Sequence, residues 1–122
     1  MAEYIGPIRH AVAAFATANG ATIEQREMIA LGVSEAASNV VLHAYRDQPE
    51  PGPLAVAAWL ADGLLHVRVR DHGLGMTPRS DRPGSGDGLR VIAGITHRFE
   101  ARSNDDAPGV QLLLVFTIGA GN

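Results

Sequence analysis

Apolar positions along this chain recur at two spacings, and the switches between them lay out the elements. Ile8, Val12 and Phe15 stand at helical intervals and predict a first helix from Ile8 to Ala18, closed by Asn19-Gly20. Thr22-Ile23-Glu24-Gln25 has the form of a capping box, in which the Thr22 hydroxyl and the Gln25 side chain satisfy free amides. A long second helix follows to about Ala44, and its latter half is apolar nearly all round, which predicts cover on both sides. The prolines between Arg46 and Pro53 end it. The spacing then drops to two. Leu54–Leu60 and Leu64–Arg70 flank Ala61-Asp62-Gly63, the composition of a hairpin turn. In the second strand Leu65, Val67 and Val69 alternate with His66, Arg68 and Arg70, so one face is buried and the other wet. From Asp71 to Gly88 no periodicity holds, and a connection of that length points to function. Leu89, Ile92 and Ile95 predict a third helix to Thr96. His97–Ser103 alternates again, Asn104–Gly109 turns, and Val110–Ile118 is a strongly apolar last strand.

The order α-α-β-β-α-β-β predicts an α+β fold: a two-layer sandwich of a mixed, mainly antiparallel sheet with helices on one face. No repeat or linker interrupts it, so residues 1–122 are read as a single domain. A chain of 122 residues can bury a core without staples. The net charge of −3, with no block of Lys or Arg, gives no footprint for nucleic acid or a membrane surface. The absence of cysteine excludes disulfides, thiolate metal sites and thiol catalysis. The N-terminus lacks the basic and apolar regions of a signal peptide, and no apolar stretch is long enough to span a bilayer. The expectation is a cytoplasmic protein.

Three motifs carry the candidate chemistry. Glu35 and Asn39, four residues apart, share one face of the second helix. Polar groups among apolar neighbours are costly unless something pairs with them, and a metal–phosphate ligand would do so. An amide oxygen is a hard ligand suited to Mg²⁺, and a carboxylate one turn away can take a proton from a group attacking a γ-phosphate. A helix–helix hydrogen bond would use the same pair. Asp71-His72-Gly73-Leu74-Gly75 follows a strand. A carboxylate there can accept from the exocyclic amine of adenine, and the glycines let the backbone run close to a flat base. An ordinary Asp-Gly turn has the same composition. Gly84-Ser85-Gly86-Asp87-Gly88-Leu89 leads into the third helix, whose first amides form an anion site. It has neither the dinucleotide glycine spacing nor the Lys-Ser/Thr of a Walker loop. The five histidines are scattered, with no paired ligand spacing. His43 and His72 lie near the proposed site, and Arg79, Arg82 and Arg90 surround the glycine loop.

Taken together, the chain resembles the GHKL ATPases, specifically the small anti-sigma factor serine kinases. Glu35-Ala36-Ala37-Ser38-Asn39 through His43 to Tyr45 is similar to that family's N box, Asp71 to Met76 to its G1 box, and Gly84 to Leu89 to its G2 box. The resemblance implies the GHKL ATP-binding fold and an ATP-dependent protein serine/threonine kinase. In it Glu35 is the catalytic base and Asn39 the Mg²⁺ ligand. Asn39, His43, Asp71, Gly73, Gly75, Met76, Gly84, Gly86, Gly88 and Leu89 bind ATP. The segment Thr77 to Pro83 matches the short lid of this branch. Implied partners are ATP, a STAS-domain anti-anti-sigma protein that is phosphorylated, and a sigma factor that is sequestered; a homodimer stays open. The chain departs from the family at Ala44, Asp87 and Val110, where Gly, an apolar residue and Thr are usual. Asp87 and Val110 favour the alternative, a non-catalytic ATP-binding partner switch. A sensor histidine kinase is disfavoured, since nothing here forms its dimerisation helix pair.

Overall fold

The computed structural model describes residues 5–44, 54–71, 86–103 and 110–119. Their elements run α1 (Ile5–Ala18), α2 (Ile23–Ala44), β1 (Leu54–Ala61), β2 (Leu64–Asp71), α3 (Gly86–Ile95), β3 (Arg98–Ser103) and β4 (Val110–Thr117). The order is the expected one, and the strands form one sheet in the sequence β1-β2-β4-β3. Every pairing among the described strands is antiparallel, so the parallel component of a mixed sheet is not present in them.

α1 begins at Ile5, three residues before its expected start. Pro7 falls in the first turn, where amides have no partner within the helix, and so costs no hydrogen bond. The helix ends in a Schellman cap: Ala21 N–H donates to the Ala16 carbonyl at 3.0 Å and Gly20 N–H to Thr17 at 3.1 Å, with Gly20 at φ +102°. Its inward row is Ile5, Val12 and Ala16; Phe15 stays exposed. Thr22 caps α2 as expected. Gln25 N–H donates to Thr22 Oγ1 at 3.1 Å, and Thr22 N–H to Gln25 Oε1 at 2.9 Å. Gln25 also reaches the far end of the sheet: its Oε1 accepts from Gly119 N–H at 2.9 Å, and its Nε2 donates to the Gly119 carbonyl at 3.2 Å. The β1–β2 hairpin turns on Asp62 and Gly63, both with positive φ (56° and 75°), the conformation that matches strand twist in a two-residue turn.

The core lies between the helices and one sheet face. Leu65, Val67 and Val69 of β2 and Leu112, Leu114 and Phe116 of β4 meet Ile29, Val33, Ala36 and Val40 of α2 and Ile92 of α3. Burying each such side chain stabilises the fold by about 1.5–3 kcal/mol. α2 crosses the sheet closely at Gly32, where an added Cβ would stand 2.9 Å from Phe116 Cζ and 3.3 Å from Leu114 Cδ2. α2 packs against both α1 and α3 as well as the sheet. Among the described residues no helix is long and apolar enough to cross a membrane.

Candidate functional site

The candidate residues that the structure describes lie on the C-terminal half of α2, at the end of β2 and at the start of α3. Met28, Gly32, Glu35 and Asn39 recur at helical intervals along one flank of α2. That flank faces α3: Ile95 lies 3.4 Å from a Cβ built on Gly32, and Met28 and Ile95 line one cavity of about 210 Å³. Glu35 and Asn39 are therefore on the α3 side of α2. Both are half-buried, so they are less enclosed than an apolar helix implies. A carboxylate and an amide oxygen in that position are open to a ligand entering between the two helices.

α2 runs in the same direction as β2. Gln25 is level with the Gly119 end of the sheet, and each step toward Asn39 moves toward the end where β2 finishes. There stands Asp71, fully buried at 0% exposed on the helix-covered face. One rung past the Arg70–Gln111 pair, its Oδ2 accepts the Val110 amide of β4 at 2.9 Å. A backbone donor of this kind fixes the orientation of the carboxylate. Reading the sequence could not supply that donor. Val110 stands out in the chain only as a missing hydroxyl, while its contribution here comes from the main chain and follows from strand register.

α3 starts at Gly86, not at Leu89, so Gly86 and Gly88 belong to its first turn. Among the helix residues whose side chains are described, Ile92 is the buried one. The helix packs back along α2 from Ile95, which sends this turn toward the end of α2 that carries Asn39. The free amides of a helix start favour anions there. Gly73, Gly75, Met76 and Gly84 lie outside the described residues, as do Arg79, Arg82, the 77–83 lid and the side chains of His43 and Leu89. Of the expected site residues, the structure describes Glu35 and Asn39 on α2, Asp71 at the end of β2, and Gly86 and Gly88 within the first turn of α3.

The family model for the histidine kinase-like ATPase domain matches residues 1–116. The chain belongs to that family. Its relatives fall in the anti-sigma kinase branch. It is 37% identical over 68 residues to the anti-sigma F factor of Geobacillus thermodenitrificans, covering 56% of this chain and 46% of the relative. It is 26% identical over 117 residues to the anti-sigma F factor of Clostridium acetobutylicum, covering 87% and 80%. To the serine-protein kinase RsbW of Bacillus cereus it is 33% identical over 73 residues, covering 60% and 44%. The chain thus spans less than half the length of the first and third of these relatives. Membership in an ATPase family implies a nucleotide taken with a divalent metal.

Proposed function

We infer that this chain is an ATP-dependent protein serine/threonine kinase and partner switch of the anti-sigma factor type, acting in the cytoplasm as a single ATPase domain over residues 1–122. It phosphorylates a STAS-domain anti-anti-sigma protein and holds a sigma factor when that protein is unavailable. The observation that carries the reading is the Glu35–Asn39 flank of α2 standing over the sheet end where Asp71 is buried. The names of the relatives support it, one a serine-protein kinase and others anti-sigma F factors.

In this reading the Asp71 carboxylate accepts from the adenine amine, and Gly73, Gly75 and Met76 lie against the base. Gly84, Gly86, Gly88 and Leu89, with His43, surround the phosphates. Asn39 holds the divalent ion, and Mg²⁺ fits its oxygen donor. Phosphate oxygens and water would complete the shell of such an ion, which keeps several waters when it binds a nucleotide. When bound, the ion neutralises charge on the transferring phosphoryl group. Glu35 takes the proton from the substrate hydroxyl as that oxygen bonds to the γ-phosphorus. The bond from the γ-phosphorus to the β–γ bridging oxygen breaks, and its electron pair leaves with ADP.

Incubating the protein with radiolabelled ATP and a cognate STAS protein tests the reading. Label on the STAS protein that disappears in Glu35→Gln supports it; ATP binding without any transfer replaces it with the non-catalytic switch. One feature of the sequence favours that second reading: Asp87 adds a negative charge within the Gly84–Leu89 segment.

A further inference from the structure

We propose that the sheet face turned away from the helices is a second recognition surface, where a carboxylate side chain of an acidic protein segment enters a cavity between Trp59, Arg68 and Gln111. The inference is independent of the nucleotide reading. Register collects Arg68, Arg70, Arg98 and Arg102 on this face, Arg70 and Arg102 having partners of their own, with Glu100 the one carboxylate among its described residues. The chain as a whole carries −3. An acidic partner is therefore drawn to this face and repelled by the rest of the molecule, which selects its orientation.

The cavity measures about 150 Å³ and is lined by Trp59, Arg68, Glu100, Arg102, Gln111 and Leu113. Gln111 is only 8% exposed and lines this cavity, where its side-chain amide can meet a polar occupant. Trp59 forms one wall and is itself held: its ring stacks on His66 at 5.4 Å between centroids and 10° between planes. The Arg68 guanidinium carbon stands 5.8 Å over the same ring and the side chain lines the cavity. Arg98 lies 3.7 Å from Glu100 and offsets the negative charge on the rim.

Size decides the class of occupant. The cavity of about 150 Å³ falls below the roughly 300–1,000 Å³ of pockets for drug-sized ligands. A nucleotide does not fit, whereas a single side chain does. Guanidinium and amide donors above Trp59 and Leu113 suit a carboxylate on a short methylene stem. Trp59 is 37% exposed, and Trp and Arg together are the residue types that dominate protein-binding hot spots.

Trp59 is the one tryptophan of the chain, so its emission reports on the cavity. The intact protein is titrated with a capped tetrapeptide of two glutamates and two leucines, with its glutamine counterpart, and with acetate. The expected result is a saturable emission change with the glutamate peptide, at least tenfold weaker with the glutamine peptide. Arg68→Gln and Gln111→Leu should each weaken it at least tenfold while keeping the wild-type far-ultraviolet circular dichroism. Equal response to both peptides overturns the proposal, as does equal response to acetate, which marks a small-anion site only. No saturation by about 10 mM, weaker than any useful contact, overturns it as well. So does emission that changes with protein concentration alone and loses that dependence in Arg68→Gln, since the occupant is then a second copy.

Discussion

Asp71 serves two partners with one carboxylate: it receives the Val110 amide through Oδ2 and, in the proposed function, the amine of the base. Asp71→Asn should therefore separate folding from binding. The Asn oxygen still accepts from Val110, but its amide then turns an N–H toward a base that itself offers N–H, so donor meets donor. The variant should stay folded by circular dichroism and lose the melting shift that Mg·ATP produces in wild type. Glu35 should behave in the opposite way. General-base assistance is worth about 10²–10⁴-fold in rate, so Glu35→Gln should bind ATP within a few-fold of wild type and transfer phosphate at least about a hundredfold more slowly. Kinase rates and ATP affinity measured on the same preparation check it. At this scale the sequence is legible where a polar residue breaks an apolar pattern, as Glu35, Asn39 and Asp71 do. It is silent about Val110, because the amide comes from 39 residues away and depends on register.

Helix boundaries and helix approach are matters of the element. The capping box at Thr22 was readable because both partners lie within one turn. The start of α3 was not, because Gly86 and Gly88 read as loop residues until the packing of Ile92 extends the helix back to them. Gly32 carried no signal in the sequence, since only the fold brings Phe116 and Leu114 against it. Two glycine substitutions should accordingly move stability in opposite directions. Gly32→Val forces a side chain into the 2.9 Å contact with Phe116 and should cost about 1–3 kcal/mol or more by overpacking. Gly94, also helical, has nothing within 4 Å of its built Cβ. Gly94→Ala should gain up to about 1 kcal/mol from helix propensity. Urea denaturation of the pair reads both signs, and a loss at Gly94 would contradict the open space beside it.

For the whole molecule, strand order was partly written in composition. β4 is buried over nearly its whole length, which suits a central strand, while β3 alternates charged residues as an edge strand does. The hairpin fixed β1 beside β2. What the sequence could not decide is that β4 pairs with both β2 and β3, a choice made by core packing against α2 and α3. Ligand binding also acts at this scale. A ligand bound only by the native state stabilises it by RT ln(1 + [L]/Kd), roughly 2.7 kcal/mol at a hundredfold excess over Kd. Saturating Mg·ATP should therefore raise the melting temperature by several degrees. No shift in wild type would count against the nucleotide site, while leaving the acidic-peptide experiment on the opposite face unaffected.

The hydrogen bonds between Gln25 and Gly119 span 94 residues of chain, and they bear on the order of folding. α1 and the first turns of α2 can form early from local contacts, yet the Gln25 side chain finds its last partner only once β4 has been made. On a ribosome, which delivers the N-terminus first, the protein cannot finish its earliest long helix until its last described strand emerges. Nascent chains stalled with residue 119 still in the exit tunnel should be cut by protease within α2, and release of that residue should bring protection to both ends of the chain in a single step.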